Sequence, residues 1–137
     1  MVDDNKTPSK ALNVGLWVVQ ALMALMFTGV GAWKTFGAIP DLAEALPWAG
    51  EMPGLVRFVG ISELLGGIGM ILPAATRIQP KLTGLAGVGL TLVMLLAIPF
   101  HAMRGELEAI PVVIVIGAMT AFVAWGRLRG APISGRG

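Results

Sequence analysis

Leu55-Val56-Arg57-Phe58-Val59-Gly60-Ile61-Ser62-Glu63-Leu64-Leu65-Gly66-Gly67-Ile68-Gly69-Met70-Ile71-Leu72 is an apolar run of 18 residues interrupted by two charges, Arg57 near its start and Glu63 at its middle. As a helix rising about 1.5 Å per residue it reaches roughly 27 Å, close to the ~30 Å hydrocarbon core of a bilayer. A carboxylate at that depth costs about 3 kcal/mol on insertion scales unless it is paired, protonated or turned toward water. The stretch therefore reads at once as a membrane span and as a site. Between Arg57 and Arg77 no other side chain ionises.

Three similar runs flank it. Ala11–Trp33 is 23 residues without a charge, Leu82–Phe100 is 19 and Ala109–Gly126 is 18. Of the 137 residues 55% are hydrophobic and 13% charged, where soluble proteins carry about a quarter charged. The fold class expected is all-α, a bundle of four transmembrane helices at about 11–35, 54–73, 81–101 and 107–127. That gives one membrane domain over 11–129, an N-terminal tail over 1–10 and a flexible tail over 130–137. Lys6 and Lys10 precede the first run, as in a cleaved leader. The run exceeds the ~7–15 apolar residues of such a leader and no small-residue cleavage pattern follows, so a retained helix is expected.

Net charge is only +2, and the basic residues stand at the ends of the runs. Lipid headgroups account for them there, so the bilayer and not nucleic acid is the expected partner. Lys6, Lys10, Arg77, Lys81, Arg127, Arg129 and Arg136 fall on one side, against Lys34, Arg57 and Arg104 on the other. The positive-inside bias puts both termini in the cytoplasm, in a bacterial-type inner membrane. Asp41, Glu44, Glu51, Glu106 and Glu108 lie on the outer side in agreement. The absence of cysteine excludes disulfides, thiol redox chemistry and cysteine-ligated iron–sulfur clusters.

The breakers mark the connections. Pro53-Gly54 opens the second helix, Pro73 closes it, and Gln79-Pro80 makes a short inner turn. Pro99 either kinks the third helix or ends it, since it removes a backbone donor and crowds the carbonyl of Leu95. The long outer connection, about 36–52, holds enough helix-compatible sequence at Asp41–Leu46 for one or two interfacial turns. Ser62, Gly66, Gly69 and Pro73 form one small-residue stripe and Gly84, Gly87 and Thr91 another. Such stripes allow close helix approach within the bundle or, alternatively, across a homo-oligomer.

On this topology Lys34, Arg57, Glu63, His101 and Arg104 converge on the outer half of the bundle, ringed by Trp33, Phe36, Phe58 and Phe100. Lys34 or Arg57 would bend inward to Glu63. The plainer readings stand beside this one: the three cations as interfacial anchors, the aromatics as an interfacial belt, His101 as a boundary histidine. For Glu63 the plainer reading is an ion pair that only fixes helix register. One histidine is too few for bis-histidine haem, and no metal-ligand spacing is present. Gly66-Gly67-Ile68-Gly69 lacks the strand–turn–helix setting of a dinucleotide loop. Ser62 and His101 stand on different helices, which leaves no serine–histidine–acid arrangement.

Two segments resemble the DoxX-like family of small four-helix membrane proteins. One is Phe27-Thr28-Gly29-Val30-Gly31-Ala32-Trp33-Lys34, with its closing lysine; the other is Val59–Gly69, similar to the family's glycine–acid–glycine pattern. The likeness covers about 11–127 and implies a polar cluster of Lys34, Arg57, Glu63 and His101. It also implies an association with quinol and thiosulfate oxidation through partner proteins of a redox complex, or a bound quinone, as the chain carries no redox ligand of its own.

The function expected is a non-catalytic binding protein. Its outer-leaflet pocket, centred on Glu63 with Lys34, Arg57 and His101, would hold a quinone, lipid or other small amphipathic molecule. Trp33, Phe58, Phe100 and Arg104 would line it. The alternatives are a quinone-reactive oxidoreductase subunit with Glu63 as proton relay, and an assembly subunit with a purely structural ion pair. A transporter would need oligomerisation, because four helices carry no repeat or broken span.

Overall fold

The computed structural model describes residues 9–136. Lys6 and the rest of the expected N-terminal tail up to residue 8 lie outside the described residues. Six α-helices follow in order: α1 (Lys10–Phe36), α2 (Ile39–Ala45), α3 (Pro47–Glu51), α4 (Pro53–Thr76), α5 (Lys81–Met103) and α6 (Ile110–Trp125). A 3₁₀ turn at Leu107–Ala109 leads into α6 and a π turn at Gly126–Gly130 continues it. No strand occurs among the described residues. α1, α4, α5 and α6 with its flanking turns are long and apolar enough to cross a membrane.

Sequence chemistry sets most of the ends. Ser9 caps α1, its Oγ accepting from the Leu12 amide at 3.3 Å. Proline occupies the first turn of α2, α3, α4 and α6, where its missing donor costs nothing. Gly105, at φ 74°, makes the tight turn after α5. One boundary differs from expectation. Pro73 does not close its helix, which runs on to Thr76. Pro99, expected either to kink or to end its helix, lies inside α5, which continues to Met103. In both cases neighbouring packing holds the helix across one missing hydrogen bond, as bundled membrane helices permit.

α1 packs on α4, α4 on α5, α5 on α6, and α6 closes back on α1. The α1–α4 seam is the tightest. A Cβ on Gly60 would stand 2.7 Å from Lys34 Cβ, and one on Gly67 would stand 2.6 Å from the Thr28 amide nitrogen. Gly31 faces the Leu64 backbone across the same seam. The expected stripes serve contacts within the bundle: Gly66 and Gly69 receive Leu90 and Ala86 of α5, and Gly87 receives the α6 backbone at Thr120 and Ala124. Thr91 and Thr120 hydroxyls meet at 2.8 Å on that second seam. Met23, Phe27, Met70, Leu90, Met94 and Val123 fill the middle.

The long connection is a built lid. α2 and α3 fold across one end of the bundle and bury Leu42, Trp48 and Ala49 against Val56 of α4. Trp48 meets Phe100 edge-on, with ring centroids 5.4 Å apart. At the opposite, basic end, the stretch expected as a flexible tail runs back over the α4–α5 turn. The Arg136 amide donates to the Arg77 carbonyl at 2.9 Å, and Arg77 Nε donates to the Ser134 carbonyl at 3.0 Å.

Candidate functional site

Glu63 is 3% exposed, in the middle of α4 and on its α1 face. Lys34, in the last turn of α1, reaches down to it, Nζ to Oε1 at 2.7 Å. The pair forms because Gly60 and Gly31 let the two helices meet without side chains between them. The lysine stem then lies along the seam and only its ammonium must be placed. The second carboxylate oxygen has no hydrogen-bond partner among the described residues. A buried charge costs far less when it is paired, and here the two charges offset each other.

The pair stands on the wall of a cavity of about 550 Å³ lined by α1, α3, α4, α5 and α6. Lys34, Ser62, Glu63 and His101 supply its polar lining; most of the rest is apolar, including Phe27, Val59, Met94 and Phe100. Trp48 of the lid closes it above, with Lys34 Nζ 6.0 Å from its ring centroid. Phe58, Leu96 and Val112 line it yet are exposed on the lipid-facing surface. The volume falls within the ~300–1,000 Å³ of ligand pockets.

The structure separates the other expected site residues into three groups. Phe58, Phe100 and His101 line the cavity with Glu63 and Lys34. Arg57 does not bond Glu63: its Nη1 donates to the Lys34 carbonyl at 3.0 Å and so caps the end of α1. Trp33, Phe36 and Arg104 are not in the lining; Trp33 packs on Gly37, and Phe36 is exposed. Arg104 instead bonds Glu51 of the lid through Nη1 at 2.8 Å and Glu106 through Nε at 3.3 Å. His101 Nδ1 stands 2.9 Å from the same Glu106 oxygen. The hydrogen bond from Arg104 holds Glu51 below the usual carboxylate range, and the His101 contact, then Arg104, does the same for Glu106. This network ties the lid to the end of α5.

Two features escape a reading of the sequence. Trp48 sits in a proline-rich connection that reads as interfacial, and packing with Leu42, Ala49, Val56 and Phe100 buries it. Arg127, which reads as a headgroup anchor, is 2% exposed and bonded to Gln20 and Asn13 of α1. The available signal was Asn13 and Gln20 seven residues apart, two turns along one face of an otherwise apolar helix. Among the described residues no group of three histidine or acidic side chains could hold a metal.

A protein-family model described as the DoxX-like family matches residues 18–123. That span runs from within α1 to the last turn of α6 and takes in both halves of the Lys34–Glu63 pair. No curated protein and no solved structure matches the chain.

Proposed function

The chain belongs to the DoxX-like family, and we propose that it is a multi-pass membrane binding protein whose lid-end cavity holds a small amphipathic molecule, a quinone or a lipid. The observation that carries this reading is a single one: a buried, lysine-paired carboxylate with an unshared oxygen stands on the wall of an otherwise apolar cavity. Glu63 would accept a hydrogen bond from a ligand hydroxyl, and the remaining ammonium protons of Lys34 would donate to a carbonyl. A quinone or quinol offers both groups, and so does the glycerol ester region of a lipid. The apolar remainder would pass Phe58, Leu96 and Val112 to the acyl chains. Both termini would lie in the cytoplasm of an inner membrane, with electron transfer, where it occurs, supplied by partner proteins.

A hydrogen bond to a charged group is worth about 1.5–3 kcal/mol, or roughly tenfold to a hundredfold in affinity. Glu63→Gln, which keeps the shape and removes the charge, should weaken binding of a short-chain quinone or lipid to the purified protein by that factor. The lead reading fails if Glu63→Gln and the Lys34→Met/Glu63→Met pair both bind as the wild type does. Its rival, an ion pair that serves packing alone, draws on the glycine seam beneath the pair. It predicts that the double variant keeps both stability and any bound molecule.

A further inference from the structure

The basic end of the bundle buries a cation that the described chain does not balance. Arg127 Nε donates to Gln20 Oε1 at 2.6 Å, and Nη1 donates to Asn13 Oδ1 at 2.9 Å and the Ala131 carbonyl at 2.8 Å. All three acceptors are neutral. Nη2 is buried without a partner among the described residues, and the guanidinium carbon stands 5.3 Å from the Trp17 ring centroid. Neutral acceptors solvate a charge but do not cancel it, and buried charges in proteins are ordinarily paired. The acids Asp41, Glu44, Glu51, Glu63, Glu106 and Glu108, all those among the described residues, belong to the lid half of the molecule.

Against this cation lies a second cavity, of about 520 Å³. Asn13, Trp17 and Ala131, three of the four residues that contact the Arg127 guanidinium, form part of its wall, and Lys10 and Arg77 bring two further cations into its lining. No acid lines it. Its place at the ends of α1 and α4 is the level at which headgroups lie. Ala74, Ala75 and Ile133 make the remaining surface apolar.

We propose that this cavity binds a phosphate anion, either as a lipid headgroup or free in solution. Three cations around one space suit a tetrahedral anion with several acceptor oxygens, and arginine forks match phosphate geometry. Lys10 and Arg77 would contact the anion directly. Arg127 would raise the local potential from behind the wall and offer its unused Nη2 donor as the wall yields.

The test is the melting temperature of the full chain in detergent, titrated with dioctanoyl phosphatidylglycerol, dioctanoylglycerol, or inorganic phosphate at constant ionic strength. A saturable rise with phosphatidylglycerol and none with the phosphate-free diacylglycerol is expected. Lys10→Gln/Arg77→Gln should move the midpoint at least tenfold higher. A rise with the lipid alone assigns a headgroup, and a rise with inorganic phosphate as well assigns the free anion; either upholds the proposal. Should Arg77→Gln unsettle the tail it holds through Ser134, Lys10→Gln alone should still shift the midpoint about threefold. Its side chain makes no hydrogen bond among the described residues. No saturable rise, or a midpoint unchanged in these variants, overturns the proposal. So does a rise that appears only in Asp3→Asn/Asp4→Asn, which would give the cavity to the chain's own carboxylates.

Discussion

Glu63 and Lys34 illustrate how little freedom a charge has in hydrocarbon. Once Lys34→Met removes the ammonium, the carboxylate 3% exposed in α4 has no other cation bonded to it among the described residues. Removing one partner of a buried pair costs about 3–5 kcal/mol, whereas replacing both is often close to neutral. Lys34→Met should therefore lower stability in a denaturing-detergent titration by about that much, and Lys34→Met/Glu63→Met should recover most of it. That Glu63 would be paired was legible in the sequence for the same reason, because an unpaired carboxylate is costly at that depth. Of the two cations that could have met Glu63, Lys34 does so and Arg57 does not. Six residues at 3.6 per turn carry it about 120° around α4 from Glu63, and its guanidinium finds the Lys34 carbonyl instead. Arg57→Gln should therefore leave the Lys34–Glu63 pair intact. Arg127 was misplaced as an anchor because its partners, Asn13 and Gln20, are more than 100 residues away in the chain.

Among elements, the α1–α4 seam and the lid carry the architecture. A side chain at Gly67 would run into the Thr28 backbone, which cannot swing aside, whereas Gly89 of α5 has nothing within 4 Å of an added Cβ. Gly67→Val should cost several kcal/mol, at or above the ~1–3 usual for overpacking, and Gly89→Val should be tolerated. Melting temperatures of the two variants in one detergent provide the comparison. The glycines were legible as close-contact residues, but a one-dimensional stripe does not disclose that α4 is small on two faces. One face serves α1 through Gly60 and Gly67, the other α5 through Gly66 and Gly69. The lid was legible only as local helix. Pro40 and Pro47 start its two short helices, yet helices of that length are stable only through tertiary burial. That burial depends on Phe100 and Val56, which the local sequence does not contain.

At the scale of the whole molecule, charge divides the two ends. Lys10, Arg77, Lys81, Arg127, Arg129 and Arg136 mark one, while the described acids gather at the other with Lys34, Arg57 and Arg104. The division was legible in the run ends, because charged side chains have few places to stand outside the hydrocarbon. At the lid end, Arg104 joins Glu51 of the lid to Glu106 beside α5. Both carboxylates are held below their ordinary value of 4.5. Groups depressed on folding contribute stability that is complete above that value and lost as pH falls through the folded one. Acidification below the ordinary carboxylate range should thus loosen the lid while leaving it unaffected between neutral pH and that range. Emission from Trp48, read with Trp17, Trp33 and Trp125 replaced by phenylalanine, reports the transition, and Arg104→Gln should abolish it. The central claim is that the space beside Glu63 is made to be occupied. Native mass spectrometry of gently extracted protein tests it most directly, with Ala97→Trp filling that space from α5. The account predicts an amphipathic molecule of stoichiometric mass on the wild type, lost from Ala97→Trp and reduced in Glu63→Gln. A wild type carrying nothing, or an adduct equally abundant on all three, would contradict it.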